Sequence, residues 1–209
     1  MILWDVEPKR RDKVTDMQTN TRGVRETLLA AAALITIANM VGMTRQPGGE
    51  TFTATASVKS PTATISMPVT IRIDRFVTDA ERAKIVAIVK AGDDAATTRA
   101  LQATPDIGLV TVGERQTPIK YAYARPAGDG RLITVVTAKP VLFYGAGDPN
   151  AKPKKGFDLA VALLVLDAKN AGDGEFAPAA RIKTDSAGAV VTEDYSSEMI
   201  RLTAITKVK

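Results

Sequence analysis

The chain of 209 residues contains no cysteine and no histidine, and its 28 Lys and Arg against 23 Asp and Glu give a net charge of +5. These absences exclude disulfides, thiol chemistry, Ser-His-Asp and Cys-His catalysis, and zinc sites that contain histidine. Because the basic residues are interleaved with acidic ones and form no stripe, the charge does not favour nucleic-acid binding.

The first feature along the chain is an uncharged run, LLAAAALITIANMVGM, at Leu28–Met43. A bilayer span needs about 20 apolar residues, whereas the apolar region of an export signal has about 7–15, and Arg22 and Arg25 stand before this run. The pattern predicts that residues 1–43 are an export signal, either cleaved or retained as a membrane anchor. If translation started at Met17, the signal would have an ordinary short basic region. The alternative to an export signal is an Ala-rich core helix.

Residues 44–66 are rich in Thr, Ser, Ala and Gly and poor in large apolar residues, which predicts a linker. The alternative is a first edge strand at Phe52–Val58, where the alternation of polar and apolar residues is weak. The single folded domain is then expected over residues 67–209.

This domain opens with a strand, because Val69, Ile71 and Ile73 alternate with polar residues. A helix then begins at Thr78–Glu81, where the threonine and the glutamate, three positions apart, form a capping box. Asp93 is suited to cap a second short helix. The pattern therefore predicts a helical pair directly after the first strand.

The rest of the chain reads as strands separated by turns, with Asp-Gly hairpin signals at Asp129-Gly130 and Asp173-Gly174 and a looser turn at 185–189. Successive hairpins indicate antiparallel pairing. The sequence predicts a mostly β, α+β domain: an antiparallel meander of about eight strands that forms a barrel or strongly curved sheet, with a two-layer β-sandwich as the alternative. The expected strands after the helices are 107–112, 119–125, 132–138, 157–166, 174–183, 189–193 and 199–205.

The strand FDLAVALLVLD is apolar on both faces and is expected to be buried on both. Its alanines leave room for the helical pair on one face. We therefore expect Leu163 to face the main sheet core and Leu164 to face the helices, both nearly fully buried.

The loop YGAGDPNAKPKKG at 144–156 carries Lys152, Lys154 and Lys155 among glycines, which suggests anion binding. It lacks the Gly-Lys-Ser/Thr of a phosphate-binding loop and the third glycine of a dinucleotide fingerprint. A solvated loop is therefore the favoured interpretation.

Three further groups were considered as sites, and each has a simpler structural explanation. Tyr121 and Tyr123 share a strand face and suit ligand stacking, but paired aromatics more often pack in a core. Phe143 and Tyr144 point to opposite faces if extended, and no role is assigned to them. The acidic side chains of TEDYSSE suit a hard cation but lack calcium-loop spacing, so a solvated turn is favoured; they are Glu193, Asp194 and Glu198.

Several stretches, PVTIRIDRF, IKYAYARPAGDGRLITVVTAKPVLFY, GFDLAVALLVLDAKNAGDGEFAPAARIK and EDYSSEMIRLTAI, together resemble an uncharacterised family of small exported bacterial proteins. The resemblance spans Pro68 to Lys207. Its marks are the Lys139-Pro140 step, the turn at Gly172–Glu175 and the closing strand Ile200–Thr203. It implies an exported β-rich domain, and it carries no activity or catalytic residues over to this chain.

The functional expectation is a non-catalytic exported envelope protein, periplasmic or extracellular, with a binding or structural role. It is expected to use no cofactor and no metal, and to bind an unknown protein or a small apolar ligand. The alternative is a small barrel that carries an apolar ligand such as a lipid. The third hypothesis is a hydrolase-type enzyme that works without His or Cys, with candidates near Tyr144 and Lys154.

Overall fold

The fold was determined as a computed structural model that describes residues 48–59, 64–143, 154–196 and 198–208. The predicted signal, residues 44–47 and 60–63 of the predicted linker, and most of the 144–156 loop lie outside the described residues. In chain order the elements are β1 Gly48–Lys59, β2 Thr64–Arg75, α1 Asp79–Lys90, α2 Asp94–Ala103, β3 Gly108–Val112, β4 Arg115–Ala127, β5 Gly130–Thr137, β6 Leu159–Leu166, β7 Ala171–Thr184, β8 Val190–Tyr195 and β9 Ile200–Lys207.

The strands form an antiparallel barrel. Neighbouring strands run in the order β6-β5-β4-β3-β2-β1-β9-β7, and pairing between β6 and β7 closes the ring of eight. The long β7 also pairs with β8, which continues along the same edge beyond β9. The predicted mostly β barrel with a helical pair is confirmed.

The inner face of the barrel is filled by side chains. In each pair of neighbouring strands, residues that lie opposite one another are on the same face of the sheet. Nearly every strand contributes residues to the inner face that are almost inaccessible to solvent. An eight-stranded barrel is just wide enough for its own side chains, which explains why large residues suffice to fill it. The largest of them are Phe52, Ile71, Ile133, Leu164, Phe176, Ile200 and Leu202.

The helical pair begins where its capping residues predict. The Thr78 hydroxyl accepts a hydrogen bond from the Glu81 backbone N–H at 3.2 Å, and the Glu81 carboxylate accepts one from the Thr78 N–H at 2.8 Å. Asp93 caps α2 through the Ala96 N–H at 2.9 Å. Gly92, with φ +74°, takes the left-handed conformation that ends α1. Both predicted helices are therefore confirmed.

The helices cover one part of the outer wall. Tyr121, Val136 and Val161 lie side by side across β4, β5 and β6 on the outer face, yet all three are buried. Arg82 of α1 stacks over the ring of Tyr123 at 4.8 Å from the ring centroid, which places α1 over this region. The apolar helix residues Ile85, Val89 and Leu101 are buried as well.

The linker prediction is wrong for residues 48–59, which form the full-length strand β1. This strand pairs with β2 over its whole length and with β9, and it closes the gap between them. Its inward apolar residues are a single phenylalanine, two small alanines and a valine, so its composition carries little apolar signal. The alternative edge strand at Phe52–Val58 was the better interpretation, although β1 has partners on both sides. The helical pair consequently follows the second strand rather than the first.

The predicted turn at Asp173-Gly174 is also wrong, because both residues lie within β7. The chain reverses earlier, where the Asp167 carboxylate accepts hydrogen bonds from the backbone N–H groups of Lys169 and Ala171. Asn170, with φ +62°, supplies the left-handed residue of this turn. The 185–189 turn is confirmed by the Gly188 N–H, which donates to the Asp185 carbonyl at 3.0 Å.

The predicted orientation of β6 is reversed. Leu164 lies opposite Ile133 and Gly174 on the filled inner face and is fully buried. Leu163 points outward and is only half-buried. On the same outer face Val161, near the start of β6, is buried. Within the described ranges, neither helix has the length and apolar character that a membrane span requires.

Candidate functional site

A groove of about 560 Å³ opens on the part of the outer wall that the helices leave uncovered. It runs across the ends of β6, β7 and β9, and we call it the outer groove. Its size lies within the usual range of about 300–1,000 Å³ for binding clefts. The lining residues are Leu163, Val165, Asp173, Gly174, Glu175, Met199, Ile200 and Arg201.

Strand alternation gives the outer groove two parallel rows of side chains. Leu163 and Val165 of β6 form an apolar row, and Val165 is 50% exposed. Glu175 and Asp173 of β7 lie directly opposite them in the register and form an acidic row. Because adjacent strands are about 4.8 Å apart and alternate residues about 7 Å apart, the two rows form a small rectangular lattice.

The charge of the outer groove is negative. Arg201 lies opposite Glu175 across β7 and β9, and its guanidinium is 3.7 Å from the Asp173 carboxylate. Within the described part of the chain Glu175 has no ion-pair partner. Exposed Glu198 precedes Met199 of the lining. The groove and its border thus hold three carboxylates against one guanidinium, in a chain whose net charge is +5.

A second polar group closes one mouth of the barrel. Glu50 of β1 points inward, its side chain is only 6% exposed, and it pairs with Lys207 of β9 at 2.8 Å and Arg131 of β5 at 2.9 Å. Arg131 also bonds the side-chain oxygen of Asn170. We call these four residues the mouth cluster. Since β1 and β5 are four places apart in a ring of eight, the Glu50–Arg131 pair spans the barrel between opposite walls.

Two ion pairs hold the mouth cluster together, which indicates a structural role, although Glu50 Oε2 and Arg131 Nε are buried without a hydrogen-bond partner among the described residues. Arg131 packs its guanidinium over the Phe52 ring at 5.8 Å from the centroid, which joins the cluster to the apolar filling of the barrel. A buried carboxylate is tolerated only when cations and hydrogen bonds compensate its desolvation, and two cations do so here.

Tyr121 and Tyr123, for which the sequence favours core packing over ligand stacking, lie on one strand face next to α1, and Tyr121 is fully buried. Burial raises the pKa of Tyr121 to about 12, against the opposing effect of nearby Arg82. Burial also raises the pKa of Tyr123, whose hydroxyl contacts the Asp79 carboxylate at 3.3 Å. Both phenols therefore stay protonated near neutral pH and pack as structural residues, which leaves the stacking surface unavailable to a base or ring.

Within the described chain, the residues of the 144–156 loop contribute little to a candidate site. Lys154 and Lys155 are exposed, whereas Lys152 and Tyr144 lie outside the described residues. Phe143 is buried and meets the Phe176 ring edge-on, with centroids 5.1 Å apart. This contact places Phe143 with the barrel filling.

Of the acidic residues of 192–198, Asp194 is engaged in ion pairing, and Glu193 and Glu198 are exposed. Asp194 pairs with Arg181 at 3.1 Å, and Arg181 also contacts Asp94 of α2 at 3.6 Å. No group of three metal-ligating side chains occurs among the residues that the structure describes. Asp185 is also ion-paired, with Arg125, and its pKa is lowered by the hydrogen bond from the Ala189 N–H and by Arg125.

Three comparisons with known proteins were made. No family model, no curated protein and no solved structure matches this chain. The resemblance to small exported bacterial proteins therefore stays a prediction.

Sequence reasoning missed the outer groove because it assigned Leu163 to the core. The sequence does contain a relevant pattern, because Asp173 and Glu175 flank Gly174 and therefore stand at alternate positions of a strand. Such spacing places both carboxylates on one strand face. Interpreting Asp173-Gly174 as a turn hid that face.

Proposed function

We propose that the protein is a non-catalytic exported protein of the cell envelope that binds a partner through the outer surface of its barrel. The observation that carries this proposal is the contrast between an inner face filled by large side chains and an outer groove that remains open. Support for the lack of catalysis comes from Tyr121, held protonated by burial, and from charged groups engaged in ion pairs. The uncharged run Leu28–Met43 supports export.

Among the residues that the structure describes, nothing favours lipid carriage, because the inward positions where an apolar ligand would lie are occupied by residues such as Phe52, Phe176 and Leu202. Native mass spectrometry of the purified chain tests this directly. The binding proposal expects the mass of the protein alone, and a co-purifying lipid would favour the carrier instead.

Export is tested by fractionation of cells that express the full chain or a variant lacking residues 28–43. We expect the full chain in the envelope or external fraction and the variant in the cytoplasm. A full chain that stays in the cytoplasm would contradict the proposal, whatever the outer groove binds.

A further inference from the structure

The geometry points to an extended peptide segment with alternating branched apolar and basic side chains as the occupant of the outer groove. This inference rests on the proposed function, because it names the chemistry of the partner bound at the same surface. Two observations carry it: the parallel apolar and acidic rows, and the excess of carboxylates around them.

The spacing of the rows matches an extended chain. Leu163 and Val165 are two residues apart on one strand, and so are Glu175 and Asp173 on the next. Alternate residues of an extended peptide also lie about 7 Å apart, and successive side chains point to opposite sides. A peptide lying between the rows therefore places its apolar side chains over β6 and its basic side chains over β7.

Charge favours a basic segment over an acidic one. Glu175 is exposed and has no ion-pair partner among the described residues. Asp173 is more engaged, because its carboxylate accepts a hydrogen bond from the Ala204 N–H at 3.3 Å and lies 3.7 Å from the Arg201 guanidinium. A lysine or arginine of the peptide would meet Glu175 without displacing an existing pair. Arg201, exposed over most of its side chain, competes for Asp173. Complementary charge of this kind mainly sets specificity and the rate of association.

A second copy of this chain fits the outer groove less well. A two-fold interface places the same surface of each copy against the other, and two concave grooves facing each other leave the apolar rows apart. A narrow, convex occupant such as a single extended segment fills the groove instead.

The test is an NMR titration of the full chain with three capped peptides: Val-Lys-Val-Lys-Val, its counterpart with Glu in place of Lys, and Ser-Lys-Ser-Lys-Ser. We expect saturable shifts at amides of the outer groove with the first peptide only. Shifts with the acidic peptide, equal binding of the serine peptide, or shifts confined to other surfaces would each overturn the inference.

Variants sharpen the test. Glu175→Lys is expected to weaken binding about tenfold, Val165→Ser to weaken it at least as much, and Arg201→Ala to strengthen it a few-fold by removing the competing cation. Leu142→Ser is the matched control, because Leu142 is 45% exposed and lies away from the groove. Equal effects of Val165→Ser and Leu142→Ser would contradict the site.

Two further outcomes are informative. A concentration-dependent dimer that Val165→Ser dissociates would identify a second copy as the occupant and overturn the peptide assignment.

The titration is independent of fractionation. Failure of peptide binding with correct export would remove this inference alone, whereas a cytoplasmic chain would remove the proposed function.

Discussion

The inner and outer faces of strand β6 show how two neighbouring leucines come to have different roles. Leu164 points into a barrel that is filled from every side, whereas Leu163 points outward, to the edge of the outer groove. Val161 lies on the same outer face two residues earlier, and it is buried. The outer wall therefore changes from core to partly exposed surface between Val161 and Leu163.

The same contrast applies to carboxylates. Glu50 is enclosed in the mouth cluster between two cations, and Glu175 stands exposed on the outer wall. An inward carboxylate contributes to closing the barrel, while an outward one is available to a partner. Substitutions at Leu164 and Leu163, and at Glu50 and Glu175, therefore compare an inner position with an outer one.

The largest effect is expected from truncation in the barrel interior. Leu164→Ala should lower the free energy of unfolding by about 2–5 kcal/mol, because it removes buried methyl groups and leaves a cavity. Leu163→Ala should lower it by roughly 1 kcal/mol or less, since half-buried side chains lose less apolar contact. Urea unfolding midpoints measure both. Equal losses would show that the outer groove is part of the packed core.

Removing the inward carboxylate should have the next largest effect. Glu50→Ala leaves Arg131 and Lys207 without their anion at the barrel mouth, and we expect a loss of about 2–3 kcal/mol. Glu175→Ala is the matched outer change and should alter stability by less than about 0.5 kcal/mol. Urea midpoints and hydrogen exchange of the β1 amides report the difference. Unchanged exchange in Glu50→Ala would show that the mouth cluster does not hold β1.

Substitution of Gly174 tests how closely β6 and β7 are packed in the barrel wall. A Cβ built at this position would lie 2.3 Å from the Leu163 carbonyl oxygen and 3.1 Å from the Ile205 side chain. Gly174→Ala should therefore cost about 1–2 kcal/mol through displacement of β6 or Ile205. Gly48→Ala, where the added carbon meets no atom within 4 Å, is the control. A thermal melt in which both variants match the parent chain would contradict the close approach.

Much of the fold could be predicted from the sequence, because caps and alternation are local signals. Thr78 with Glu81 and Asp93 mark the helix starts, and these signals need no tertiary information. The strand β1 was missed because its burial comes from neighbours on both sides rather than from its own apolar residues. Its partners β2 and β9 lie next to it in space, but β9 is distant in the chain.

The outer groove could not be predicted for a related reason. An apolar strand such as β6 looks buried on both faces, and only the position of the helical pair shows that Leu163 and Val165 are left partly exposed. The mouth cluster is equally non-local, since Glu50, Arg131 and Lys207 come from three strands far apart in sequence. Local patterns specify elements, whereas sites depend on how those elements meet.

The smallest effect concerns the start of α1, where Glu81 is part of the capping box. The hydrogen bonds from Arg75 first, and then from the Thr78 backbone, lower the pKa of Glu81 from 4.5 to about 2. A lowered pKa in the folded state means that the charged carboxylate stabilises the fold. This contribution is complete above about pH 4.5 and is lost as the pH falls toward about 2.

Glu81→Gln should therefore destabilise the protein at neutral pH, and its difference from the parent chain should shrink as the pH falls through this window. Both partners of the Arg75–Glu81 pair are more than 40% exposed, so solvent screening limits the effect to under about 1 kcal/mol. Urea midpoints measured across the window give the difference. Glu193→Gln, an exposed carboxylate on β8, is the control and should show little difference at any pH. A Glu81→Gln difference that stays constant with pH would mean that the loss comes from altered capping geometry rather than from charge.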